Sequence, residues 1–135
     1  MPQKIRQLAK TILHHPAEVN ISISKPNEKI IQLAYVVYDT QKIPLVKYIL
    51  HQKNFDSVLV FCSSKISVKQ LTRELKRTSL AVEEIHSDLE QEKREEVLMY
   101  FKSGRIKVLV ATDILSRGID IDNIGLVLNY DVPHD

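Results

Sequence analysis

Three short stretches gather hydrogen-bonding and charged side chains in spacings that could hold an anionic ligand. The first is Cys62-Ser63-Ser64-Lys65, which follows the apolar run 57–61 and opens a helical pattern. Ser63 or Ser64 can cap that helix, whose free amide hydrogens could then receive a phosphate. The second runs from His86 to Arg94. Ser87 followed by Glu90 fits a capping box that would start a helix over 88–102. Gln91 and Arg94 lie three apart and so share one helical face, where an amide and a guanidinium can clamp a phosphate. The plainer reading of that pair is an exposed hydrogen-bonded or ion-paired couple. The third stretch, VLVATDILSRGIDIDNIG at 108–125, is the densest. Thr112 offers a hydroxyl and an amide to a phosphate, Gly118 permits a tight turn or a close backbone approach, and Asp120 can accept from ribose hydroxyls. Singly, Asp113 could be a helix cap, Gly118 a turn and Asp120 a surface acid. Together they favour a ligand.

Other candidates read as structural. Cys62 has nothing at fixed spacing to lower its pKa, so it is expected to be a small buried hydrophobe rather than a nucleophile. His86 has no second His or Cys at ligand spacing and is expected to be a strand-end residue, not a metal ligand. Lys65, Lys69, Arg73, Lys76 and Arg77 face only Glu74 on their helix and read as a solvated face over the stripe Val68, Leu71, Leu75.

Composition narrows the classes further. The chain has 135 residues, 44% of them hydrophobic, with 19 basic against 17 acidic side chains, which argues against disorder and against a general polyanion binder. Residues 1–54 hold 8 basic and 3 acidic groups and residues 55–135 hold 11 and 14, so any nucleic-acid site must be local. No apolar run approaches the roughly 20 residues of a membrane-spanning helix, and MPQKIRQLAK is not a secretory signal. A single cysteine excludes an internal disulfide and points to a reducing compartment; the expectation is a cytoplasmic protein without membrane contact. Only 3 glycines occur where average usage gives about 9, which disfavours a hairpin-rich all-β fold. Neither G-x-x-x-x-G-K-[ST] nor G-x-G-x-x-G is present, so the chain cannot by itself bind nucleotide in the P-loop manner.

The elements that must position these residues follow from periodicity. Residues 3–13 form an amphipathic helical pattern ending before His14-His15-Pro16, and 16–29 read as a linker. Extended runs at 30–37, 57–61, 81–86, 106–111 and 124–129 alternate with helical patterns at 41–52, 65–78 and 88–102. Continuously apolar runs such as VLVF, VLVA and LVLN suit strands covered on both faces of a parallel sheet. The fold class expected is α/β, an open and mostly parallel sheet with flanking helices and right-handed crossovers. Ligands in such sheets bind at the carboxyl ends of strands, which points to Phe61–Ser64, His86–Asp88, Ala111–Asp113 and Tyr130-Asp131.

VLVFCSSK, IHSDLEQEKR, VLVATDILSRGIDI and VLNYDVPHD, in that order and spacing, resemble the second RecA-like lobe of DEAD-box RNA helicases of the bacterial kind. MPQKIRQLAKTIL is similar to the segment after the Ser-Ala-Thr motif in that family's first lobe. The resemblance implies that residues 1–24 are the tail of the first lobe plus the interlobe linker, and that 25–135 are the second lobe. It implies an enzyme that uses ATP and Mg2+, held mainly by the first lobe, to grip single-stranded RNA and separate short duplexes. By the same likeness Ser64 lies near the RNA backbone where the family has threonine, Arg94 contacts a phosphate with Gln91 orienting it, and Thr112, beside Asp113, binds an RNA phosphate. Arg117 and Gly118 couple the RNA site to the nucleotide cleft, and Asp120 reaches the ATP ribose. Ser87 departs from the family's glycine.

The family's His-Arg-x-Gly-Arg motif is expected just beyond Tyr130–Asp135, and its P-loop and Asp-Glu-Ala-Asp motif in the other lobe. The expectation is therefore a lobe, C-terminally incomplete, with no catalytic residue of its own, no metal site and no ATPase activity alone, whose uncovered apolar surface would favour self-association. Its partners would be single-stranded or short duplex RNA and a first RecA-like lobe. Two other readings stand beside this one: a lobe of a DNA-directed superfamily 2 translocase, and a non-catalytic RNA-binding module. A phospho-acceptor receiver domain does not fit, because Tyr38-Asp39, Cys62-Ser63 and His86-Ser87 lack its acidic pattern.

Overall fold

The computed structural model describes residues 30–112 and 124–132. The chain divides into two units, Met1–Tyr35 and Val36–Asp135, and the second contains every described element. In chain order these are helix α1 (Asp39–Gln52), strand β1 (Val58–Cys62), helix α2 (Lys65–Lys76), strand β2 (Val82–Ile85), helix α3 (Gln91–Lys102), strand β3 (Val108–Thr112) and strand β4 (Leu126–Asn129). The four strands form one parallel sheet in the order β2-β3-β1-β4. Val58 pairs with Val108 and with Leu126, so the strands are in step and all their carboxyl ends reach one edge.

Alternation along the strands creates two apolar faces. Val58, Val60, Cys62, Val108 and Val110 pack with Val46 and Leu50 of α1 and Val68, Leu71 and Leu75 of α2. Leu59, Ile85, Leu109 and Ala111 pack on the other face with Val97 and Phe101 of α3. The result is a helix–sheet–helix sandwich, which is why β1 and β3 are continuously apolar. The α/β parallel sheet expected from the sequence is therefore present, with boundaries within about three residues of those expected.

Local chemistry sets the element ends. Ser64 caps α2, its Oγ accepting the Ser67 amide at 3.1 Å. At the start of α1, Gln41 Oε1 accepts the Tyr38 amide at 3.1 Å. Past α3, Gly104 takes φ +74°, a conformation that costs a residue with a Cβ, and its amide closes on the Phe101 carbonyl.

Two expectations are corrected. The run 30–37 is not a strand: residues 30–38 have no regular secondary structure, and Ile31, Leu33, Val36 and Tyr38 are 75–104% exposed. An apolar alternation shows only that a segment could line a sheet, and a strand exists only where a neighbour supplies the ladder. Nor does Ser87 cap a helix at 88. Helix α3 starts at Gln91 behind Glu90, because residues 86–89 close a turn of their own in which the His86 carbonyl accepts the Leu89 amide. The expected helix 3–13 and linker 16–29 lie outside the described residues.

Candidate nucleic-acid interface

The carboxyl edge of the sheet carries the candidate residues, and each strand contributes one cluster. After β1, Ser64 sits half-buried, its hydroxyl accepting the Ser67 amide and lying 2.9 Å from Ser67 Oγ. Beside it, Ser63 donates its amide and hydroxyl to one oxygen of Asp131, at 2.9 and 2.8 Å. Asp131 follows β4, and its other oxygen accepts Lys42 Nζ of α1 at 3.1 Å. Lys42 also meets Asp39 at 3.0 Å and stands 5.3 Å above the Tyr130 ring. Burial works to raise the Asp131 pKa, but the Ser63 amide and hydroxyl and Lys42 outweigh it and hold the carboxyl below its ordinary value. The carboxylates of Asp39 and Asp131 hold Lys42 above the usual lysine value.

After β2 the turn at 86–89 is fixed from several sides. His86 is buried, and its Nδ1 accepts the Asp88 amide at 3.2 Å while Nε2 lies 3.6 Å from Glu84. Arg94 Nη2 donates to the Ser87 carbonyl at 3.0 Å. Its buried Nε has no partner among the described residues, so the guanidinium keeps donors in reserve. Gln91 and Arg94 do leave one end of α3 together, but the Gln91 amide donates to Glu95 at 2.8 Å rather than holding Arg94. Ser87 itself is exposed at the tip of the turn. Asp88 accepts Lys65 on one oxygen at 2.9 Å and Lys69 on the other at 3.2 Å. Those two cations lower its pKa to about 2.

At the end of β3, Thr112 is 7% exposed, and its hydroxyl has no partner among the described residues. A buried hydroxyl without a partner is uncommon and marks a place where a ligand or water would be welcome. Asp113, Arg117, Gly118 and Asp120 lie outside the described residues.

The chemistry available is anion binding, not bond making. Burial, reinforced by Asp131 and opposed by Lys42, pushes the Cys62 thiol up to about 12, which keeps it from acting as a nucleophile. Among the described residues no group of acidic, His or Cys side chains could hold a metal ion. No described helix is long and apolar enough to cross a membrane. Sequence reasoning missed Lys42, because nothing local links it to a partner 89 residues away. It also read α2 as opposed only by Glu74, whereas Asp88 and Glu83 arrive from β2 and its turn to pair with Lys65, Lys69 and Lys76.

The helicase conserved C-terminal domain family matches residues 41–135, the whole of the described sheet and its helices from Gln41 on. The chain belongs to that family. Its relatives are of the DEAD-box type. ATP-dependent RNA helicase DbpA of Bacillus subtilis is 38% identical over 98% of this chain and 28% of its own length. DEAD-box ATP-dependent RNA helicase 40 of Oryza sativa is 39% identical over 98% of this chain and 17% of its own. Among solved structures, Saccharomyces cerevisiae Dbp5 bound to RNA and ADP BeF3 aligns with 98% of this chain and 34% of its own, at 28% identity and a TM-score of 0.83. A DEAD box protein from the hyperthermophile Methanococcus jannaschii covers 98% of this chain and 36% of its own, at 34% identity and a TM-score of 0.74. The sheet is thus the RecA-like sheet of a helicase C-terminal domain, and the chain spans less than a third of the length of these two curated relatives.

Proposed function

We propose that this chain is the second lobe of an ATP-dependent RNA helicase, which binds the backbone of single-stranded RNA and closes on ATP with a first RecA-like lobe to separate short duplexes. The observation that carries the reading is the row along one sheet edge: Ser64 after β1, Thr112 at the end of β3, and Ser87 with Arg94 after β2. These are hydroxyls, amides and a guanidinium, the groups that contact phosphate and sugar rather than base edges. A solved relative described as bound to RNA and ADP BeF3 supports the same reading.

In this proposal Asp120 meets the ATP ribose, Arg117 and Gly118 link the RNA path to the nucleotide cleft, and Asp113 completes the loop after Thr112. ATP and Mg2+ are held mainly by the first lobe, since this chain has no P-loop. Residues 1–24 are the tail of that first lobe and the linker to it, and the protein works in the cytoplasm. Exposed Ile31, Leu33, Val36 and Tyr38 support self-association of the isolated chain.

The test is ATP turnover in the full-length protein. Arg94→Gln and Thr112→Ala are each expected to cut RNA-stimulated hydrolysis about tenfold or more, as the loss of a contact to a charged group does, while the isolated chain hydrolyses none. Stimulation unchanged in both variants would remove the edge row from the RNA path.

A further inference from the structure

Three cationic side chains from two helices converge on the two-residue step Ser87-Asp88. Arg94 of α3 reaches the Ser87 carbonyl at 3.0 Å, and Lys65 and Lys69 of α2 take one Asp88 oxygen each, at 2.9 and 3.2 Å. A single carboxylate therefore serves two ammonium groups one helical turn apart. All three of these ion-pairing side chains are about half exposed, at 41–52%. They have not been drawn into the core as a structural bridge would be, and the apolar stripe of α2 lies on its other side. Exposed pairs of this kind contribute little to stability and exchange readily. A carboxylate holding two lysines presents them with the same charge and the same oxygen geometry as a phosphodiester.

We propose that Lys65 and Lys69 are two further RNA-phosphate contacts, and that Asp88 is a built-in competitor that occupies them until RNA arrives. The inference rests on the RNA reading above and adds to it a residue that weakens binding. Asp88 is placed for this by the protein's own turn: its amide is held by His86 Nδ1, so the carboxylate stays at the lysines whether or not they are engaged. RNA backbone passing Ser87 and Arg94 runs within one residue of Asp88, and its phosphates displace the carboxylate from the lysines. Asp88 thus sets a ceiling on affinity, which a protein that must release its strand requires.

The test compares binding of a labelled short uridine oligomer to the chain and its Asp88→Asn variant across a range of salt concentrations. Asparagine keeps the backbone amide and the turn while removing the charge. The variant is expected to bind about three- to tenfold tighter, and its plot of log affinity against log salt to steepen by about 1.4, for two cations freed onto a single strand. Adding Lys65→Gln and Lys69→Gln to Asp88→Asn is expected to abolish both gains. Unchanged or weaker binding by Asp88→Asn, or a gain that survives loss of both lysines, overturns the proposal. Arg94→Gln and Thr112→Ala, measured alongside, separate it from the reading beneath it. If they weaken RNA binding while Asp88→Asn is neutral, the RNA edge stands and the competitor falls. If Asp88→Asn tightens binding of inorganic polyphosphate but not of RNA, the lysines take polyanions in general and their assignment to RNA is overturned.

Discussion

Asp131 shows how much one side chain can organise. Its two oxygens tie the end of β4 to the loop after β1 and, through Lys42, to the first turn of α1. Hydrogen bonds to a half-buried charge contribute more than neutral ones, so Asp131→Ala should cost about 1–3 kcal/mol in urea denaturation, and Asp131→Asn less because the amide oxygen still accepts from Ser63. Cys62, directly before that loop, is predicted to resist iodoacetamide in the native protein at pH 8 and to react only on unfolding, as read by mass spectrometry. The expectation that Cys62 is a buried hydrophobe agrees with its 3% exposure. The clamp itself was not legible: Ser63 and Asp131 were marked by lying at strand ends, but only the fold brings Lys42 to them. Ser64, Ser87, Arg94 and Thr112 were legible as candidates, because hydroxyls and a guanidinium at the ends of apolar runs have few other uses. What they touch was not. Gln91 turns to Glu95, a choice decided by a rotamer that spacing does not specify.

At the scale of elements, apolar runs and helical stripes carried most of the information. Runs that are apolar at every position, as in β1 and β3, became the two central strands, because only a strand covered by helices on both faces tolerates such a pattern. Leu109 sits at the middle of β3 with no exposure, facing Val97 and Phe101 of α3. Leu109→Ala is therefore expected to cost about 2–5 kcal/mol in chemical denaturation, since the sheet cannot collapse onto the cavity. The stripe Val68, Leu71, Leu75 buried as expected, and Thr72 joined it, a polar residue that a stripe of apolar types cannot announce. The start of α3 was misread because Ser-x-x-Glu fits a cap equally well whether or not the preceding turn is free to form one. Here that turn is already committed to His86. The run 30–37 was misread for a different reason: strand pairing is a property of two segments, and one segment's alternation cannot supply the second.

Over the whole molecule, charge is nearly balanced, and its effect lies in where pairs form. Asp88, Glu74, Glu96 and Asp131 all have pKa values held below the ordinary carboxylate range: cation pairing acts on the first three, and the Ser63 hydrogen bonds with Lys42 act on Asp131. A depressed folded value means that each contribution is fully present above the ordinary value near 4 and is lost as the pH falls through the folded one. The urea midpoint should therefore stay level down to about pH 5 and fall between roughly pH 4.5 and 2, with Asp88 the last to protonate. A midpoint that rises over that window would contradict the pairing.

The edge row makes a direct claim about where RNA lies on this lobe. Its most direct measurement is an amide-resolved NMR titration of the isotope-labelled chain with a short uridine oligomer, repeated with the matching DNA. The account predicts shifts gathered at Ser64, Ser87, Arg94 and Thr112, larger with RNA than with DNA. Shifts absent from those four, or spread equally over α2 with either nucleic acid, would contradict it.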